Sequence, residues 1–184
     1  MIEDLRKAVE TMEKGGVILY PTDTVWGIGC DTANAEAVAR IFRIKQREDS
    51  KSMLVLAADM EQLEGIVAEV PDPVRGLLAE ADRPTTVIYP GARNIAPNLI
   101  AGDGSVGIRI PDAEFPRMLC RMLGRPVVST SANISGMPTP ADFAGISEEI
   151  RKSVDYVCTT GRSGQPSTPS SIYILRDGEI KQLR

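Results

Sequence analysis

Four short polar clusters in this chain have residue types that could do chemistry: Pro21-Thr22-Asp23-Thr24, Lys45-Gln46-Arg47, Ser129-Thr130-Ser131-Ala132-Asn133, and Ser167 to Ser171. Each falls where a predicted strand or helix gives way to irregular chain, which is where α/β proteins place ligand groups. Lysine and arginine two positions apart can address one anion, the first as a point charge and the second as a planar fork. Serine, threonine and asparagine offer hydroxyl and amide partners for phosphate, carboxylate or a nucleotide edge. The chain contains no histidine. Ser-His-Asp and Cys-His nucleophilic catalysis are therefore excluded, as are the usual histidine-bearing zinc sites. An enzyme of this composition works through carboxylate, lysine, arginine or hydroxyl groups, or by positioning alone.

Each cluster also has a plainer reading. Lys45 and Arg47 suit a solvated helix end favoured by the helix dipole. PTDT suits a turn with a helix cap, and STSAN a polar strand end with Asx- and Ser-type turns. The stretch 160–170 reads as a surface loop. Neither GxxxxGK[ST] nor GxGxxG occurs, so the common phosphate loops lend no support. Cys30, Cys120 and Cys158 are widely spaced and odd in number; they are expected to be buried, unreactive thiols rather than a disulfide or metal framework.

The elements that must hold these clusters alternate along the chain. Apolar residues Ile2, Leu5, Ala8, Val9 and Met12 recur at helical spacing and Gly15-Gly16 end the segment. Residues 17–20 read as a short buried strand, followed by the PTDT loop. VWGIGCD leads into a helix from about Asn34 to Ile44. A strand at 53–57, a helix from about Met60, and another opening at Pro71-Asp72-Pro73 come next. Strands at 85–89 and 106–110 flank a Gly- and Asn-containing loop, and a helix at 115–123 precedes a strand at 126–130. Residues 131–142 are loop-like. A helix near 142–152 and a strand at YVCT follow. Asp177-Gly178 marks a closing hairpin. The pattern predicts one α/β domain over residues 1–184, with an open, twisted, mixed sheet rather than a purely parallel one.

Composition narrows the partners. The chain has 184 residues, 42% hydrophobic and 25% charged, with a formal net charge of −4. Proteins that grip long nucleic acid are usually basic, so RNA binding requires a local patch. The best candidate is Arg40, Arg43, Lys45, Arg47 and Lys51, five positive charges in twelve residues. No apolar run approaches the ~20 residues that span a bilayer, and MIEDLRKAVETMEKGG lacks the apolar centre of a secretory signal. The expected location is the cytoplasm.

Read together, YPTDTVWGIGCD, IKQR, VGIRIPD, PVVSTSANISG and PSSI, in that order, resemble the threonylcarbamoyl-AMP synthase family, the YrdC-like domain. The resemblance covers nearly the whole chain. It implies an open twisted α/β sheet with a concave, positively charged groove. It implies that ATP, L-threonine and bicarbonate yield threonylcarbamoyl-AMP and pyrophosphate, with Mg²⁺ arriving on ATP and no metal site in the protein. A separate transferase would then pass the group to tRNA. Mapped on this sequence, Lys45, Arg47, Ser131 and Asn133 would hold the ATP phosphates and the carbamate. Arg47, Lys51, Ser105, Ser131, Thr139 and Arg184 would contact the nucleotide. Thr24, Ser129 and Ser170 would contact threonine, and Arg109 would clamp its carboxylate, a natural bidentate task. The chain departs from the family pattern at Glu48, where proline is frequent, at Asp82 to Thr86, and at Ser170 to Ile174, which lacks the late aspartate.

The resemblance also implies rivals. One is a non-catalytic module binding double-stranded RNA or tRNA through the same groove. Another is a carbamoyl-adenylate former acting on a different acceptor. For the catalytic reading, Lys45→Ala and Arg47→Ala are expected to unfold near the wild-type temperature while losing most turnover.

Overall fold

The computed structural model describes residues 1–46, 53–163 and 169–184; Arg47, Lys51 and Ser167 lie outside the described residues. Helix α1 (Ile2–Glu13) buries Leu5, Ala8, Val9 and Met12, the stripe that the spacing predicts. Strands β1 (Ile18–Tyr20) and β2 (Gly27–Gly29) pair antiparallel across the PTDT turn. Helix α2 (Ala35–Lys45) is capped by Asn34, whose side chain accepts from the Ala37 N–H. Then come β3 (Leu54–Leu56), α3 (Met60–Ile66), α4 (Asp72–Glu80) and β4 (Thr85–Tyr89). A 3₁₀ turn at Pro97–Leu99 leads to β5 (Val106–Arg109), α5 (Glu114–Leu123) and β6 (Val127–Ser131). Helix α6 (Glu148–Ser153), β7 (Tyr156–Val157), β8 (Ser171–Arg176) and β9 (Glu179–Gln182) complete the chain.

Among the described residues, the strands form one nine-stranded mixed sheet in the order β7-β1-β2-β6-β3-β5-β4-β8-β9. The pairs β1–β7, β3–β5 and β4–β8 are parallel and the others antiparallel. The closing hairpin forms as expected. Asp177 and Gly178 both take positive φ, 52° and 79°, as a two-residue turn of the primed type requires. The core gathers Leu5, Ile18, Tyr20, Ile28, Ile41, Val55, Val87, Ile108, Leu119 and Val128. Among the described residues, no helix is long and apolar enough to cross a membrane.

Two expectations are corrected. VWGIGCD is not only a lead-in to α2, because Gly27–Gly29 forms a buried strand. A Cβ at Gly29 would lie 2.4 Å from the Val128 carbonyl oxygen and 2.7 Å from Tyr20 Cε1. Glycine here lets β2 press against β6 with the Tyr20 ring beneath. The helix expected near 142–152 begins only at Glu148, because Ser147 caps it by accepting from the Ile150 N–H. The three cysteines are free and buried, as expected. Burial pushes the Cys120 thiol up to about 12 and raises the other two as well.

Candidate functional site

Register puts the serines of the STSAN cluster and Arg109 on one face of the sheet. Ser129 and Ser131 are two residues apart on β6, so they point the same way. Ser131 pairs with Gly27, and Ser129 with Leu54. Leu54 in turn pairs with Gly107, whose neighbour two along β5 is Arg109, and Arg109 pairs with Thr86. Directly paired residues share a face. That face therefore carries Gly27, Ser129, Ser131, Leu54, Gly107, Arg109 and Thr86. A cavity of about 310 Å³ opens on it. Its walls include Thr24, Arg109, Ser129, Ser131, Thr139, Ser170 and Arg184, all named by the sequence, together with Thr22, Val25, Gly27, Leu54, Thr130 and Pro169.

The PTDT segment forms both a turn and part of the wall. Thr22 Oγ1 donates to the Val25 carbonyl at 2.6 Å and accepts from the Thr24 N–H at 3.1 Å. This places Thr24 and Asp23 over the end of β5. Arg109 Nη2 donates to Thr24 Oγ1 at 3.2 Å and lies 2.9 Å from Asp23 Oδ1. The two charged side chains are 3% and 6% exposed, so both members of this ion pair are buried. Burial pulls the Arg109 guanidinium below its ordinary value, and Asp23 opposes that effect. Its Nε is buried without a hydrogen-bond partner.

Lys45 is not a solvated helix end. It is 2% exposed, and its Nζ donates to the carbonyls of Ser131 at 2.6 Å and Asn133 at 2.7 Å. The Lys45 carbonyl accepts from the Ser135 N–H at 2.9 Å. The C-terminus of α2 is thus stapled from both sides to the loop after β6. Gln46 caps the helix in the left-handed region, φ 49°, so the chain turns sharply inside the Lys-Gln-Arg cluster. Asn133 Nδ2 closes the same loop by donating to the carbonyls of Ile134 and Met137, at 3.1 and 2.7 Å. Among the described residues, Lys45 and Asn133 brace Ser131 and the loop that follows it.

The C-terminal residue is held in place. Arg184 Nε and Nη2 donate to the Ser170 carbonyl at 3.2 and 3.0 Å, and the Arg184 carbonyl accepts from the Ile172 N–H at 3.1 Å. Thr86 Oγ1 donates to Ser170 Oγ at 3.1 Å. Ser105 stands apart from this cavity. It shares a face with Arg109 but lies four positions back along β5, about 13 Å at strand rise. There it borders a second depression of about 450 Å³ with Ile88, Asp103 and Ile174. Its hydroxyl donates to Asp103 Oδ1 at 2.6 Å. Ile88 pairs with both Gly107 and Ile174, so the two depressions lie along one face of the sheet.

Of the residues that sequence reasoning left out of the site, Thr22, Thr130 and Val25 sit inside motifs it had already marked. Gly27 and Leu54 were legible only from strand alternation. Asp23 was marked within PTDT, but its pairing with Arg109, 86 residues away, left no local signal.

An open mixed α/β sheet with arginine and hydroxyl side chains around a cavity on one face has the residue types that small anionic ligands require. The chain belongs to the Sua5/YciO/YrdC family, whose model, described as telomere recombination, matches residues 10–184. A threonylcarbamoyl-AMP synthase from Chromohalobacter salexigens is 35% identical over 173 residues, covering 94% of this chain and 92% of that protein. The crystal structure of P. abyssi Sua5 complexed with L-threonine superposes with TM-score 0.88 at 27% identity. It matches 98% of this chain, which spans 53% of that longer protein, about half its length. The crystal structure of E. coli YciO superposes with TM-score 0.86 at 28% identity, over 100% of this chain and 89% of that one.

Proposed function

We propose that this chain is an L-threonylcarbamoyladenylate synthase. The observation that carries the reading is the convergence of Arg109, Thr24, Ser129, Ser131, Thr139, Ser170 and Arg184 on one cavity. Relatives of nearly equal length named threonylcarbamoyl-AMP synthase, and a Sua5 structure holding L-threonine, support it. Arg109 takes the amino-acid carboxylate, with Thr24, Ser129 and Ser170 around the rest of the amino acid. Ser131, Thr139 and Arg184 face the nucleotide, with Ser105 further along the sheet and Arg47 and Lys51 completing the nucleotide contacts.

The chemistry suits a chain without histidine. The threonine amine takes up bicarbonate with loss of water, giving a carbamate. A carbamate oxygen bonds to the α-phosphorus of ATP while the bond to the bridging oxygen breaks and pyrophosphate leaves. No protein nucleophile is needed; alignment and fixed positive charge lower the barrier. Mg²⁺ would enter with ATP, as part of that substrate, and would offset phosphate charge. Among the described residues, no group of three or more His, Cys, Asp or Glu side chains is placed to hold a metal. Release into the cytoplasm and transfer to tRNA by a separate transferase complete the reading.

The test is isotopic. With ¹³C-bicarbonate, ATP and L-threonine, the label should appear in an adenylate that also contains threonine. An adenylate of unmodified threonine, or no adenylate, would overturn the proposal.

A further inference from the structure

We infer that Asp23 is a positioning residue for the amino-acid substrate, acting through Arg109. The inference rests on the reading that Arg109 receives the substrate carboxylate. Arginine side chains are long, and at a surface their many rotamers make them poor clamps. Here the guanidinium is 3% exposed and is held at Nη2 by Asp23 Oδ1 at 2.9 Å and by Thr24 Oγ1 at 3.2 Å. Asp23 is itself anchored, because its Oδ2 accepts from the backbone N–H of Asp112 at 3.4 Å. Asp112 lies just beyond β5, so the carboxylate ties the PTDT turn to the strand end that carries Arg109.

This arrangement is costly as a stability device. A buried ion pair gives up the hydration of both charges and often stabilises no better than apolar packing. Arg109 Nε is buried with no partner, and a buried unpaired donor is unfavourable in its own right. Arg109 nevertheless lines the cavity beside Thr24, Ser129 and Ser170. A charged group kept in a cavity wall at such a cost is there to meet a ligand, and Asp23 sets where it stands. It also balances the guanidinium charge while the cavity is empty, so the arginine need not swing out towards water.

Asp23→Asn keeps the shape and removes the charge. It should raise the KM for threonine on the order of tenfold to a hundredfold, the scale of a misplaced binding group. The KM for ATP should stay within about twofold of wild type, and kcat at saturating threonine should largely persist, because uniform substrate binding is what is lost. Asp23→Glu should recover part of the threonine affinity. A double-mutant comparison removes dependence on that one variant. Asp23→Asn added to Arg109→Gln should not raise the threonine KM above that of Arg109→Gln, since Asp23 has no guanidinium left to position. A further loss of threonine affinity in the double variant, or equal losses for ATP and threonine in the single one, would overturn the inference. If Arg109→Gln itself leaves the threonine KM at the wild-type value, the fault lies with the carboxylate reading of Arg109.

Discussion

Lys45 shows how one residue changes meaning between sequence and structure. At the end of a helix it reads as a charge in water, and its removal is expected to cost little. The loop after β6 folds over it, and its ammonium group becomes the donor for the carbonyls of Ser131 and Asn133. Lys45→Ala should therefore lower stability by about 3 kcal/mol, since two charge-assisted hydrogen bonds and the packing of a buried side chain are lost. For a chain of this size that is a fall in Tm on the order of 10 °C. Turnover should fall with it, because Ser131 loses its support. A thermal melt within a degree or two of wild type would return Lys45 to the surface. Arg47→Ala, by contrast, should lose most threonine-dependent pyrophosphate release, on the order of a hundredfold for a charge aimed at the transition state. Near-normal release by that variant would move the phosphate site elsewhere.

At the scale of elements, the question is what fixes the segments bordering the site. Asp4, on α1, is 4% exposed. Its carboxylate accepts from the Tyr156 hydroxyl at 2.6 Å, the Thr159 N–H at 3.0 Å and the Thr160 N–H at 2.7 Å. It therefore holds the chain where the 160–170 stretch leaves β7. Burial alone would raise its pKa, but the bonds from Thr160, Tyr156 and Thr159 outweigh burial and bring it down to about 2. The folded state thus binds its proton later than the unfolded chain, whose value is near 3.8. The stabilisation, about 2 kcal/mol, is complete above that unfolded value and disappears as pH falls through about 2. Urea unfolding of wild type and Asp4→Asn should differ by that amount at pH 7 and converge below about pH 2. A difference that persists unchanged at low pH would show that the carboxylate charge is not the cause. At the other end, Leu183 and Arg184 lie against Ile172 and Ser170. Deleting Gln182 to Arg184 removes an exposed edge, so most of the fold should survive while ATP binding weakens. Unchanged ATP affinity by calorimetry would take Arg184 out of the site.

The order of elements was readable because apolar spacing and turn residues agree over most of the chain. Helix α2, from Asn34 through Lys45, shows every local signal at once: a capping asparagine, an apolar stripe and a basic last turn. Strand β2 was obscured because Gly27 and Gly29, the residues that let it pack against β6 and Tyr20, are those that read as loop. The site divided in the same way. Hydroxyl clusters were visible as clusters, whereas the Asp23–Arg109 pair and the Lys45 staple depend on contacts between residues 86 to 88 positions apart. Such pairings follow from the strand order, which no local pattern specifies.

For the whole molecule, the choice is between an ATP-consuming enzyme and a module that grips RNA. Three of the five charges in the suggested RNA patch are described, and each is engaged. Arg40 pairs with Asp155 at 2.5 Å and Arg43 with Glu36 at 2.9 Å, while Lys45 is buried. Together with a net charge of −4, this weakens the electrostatic basis for duplex binding. The decisive measurement is pyrophosphate release from ATP with threonine, serine or no amino acid, each with and without bicarbonate. Release should be substantial only with threonine and bicarbonate together. Equal release with either one omitted would contradict the carbamate mechanism, and salt-sensitive duplex RNA binding without any ATP turnover would contradict the enzyme itself.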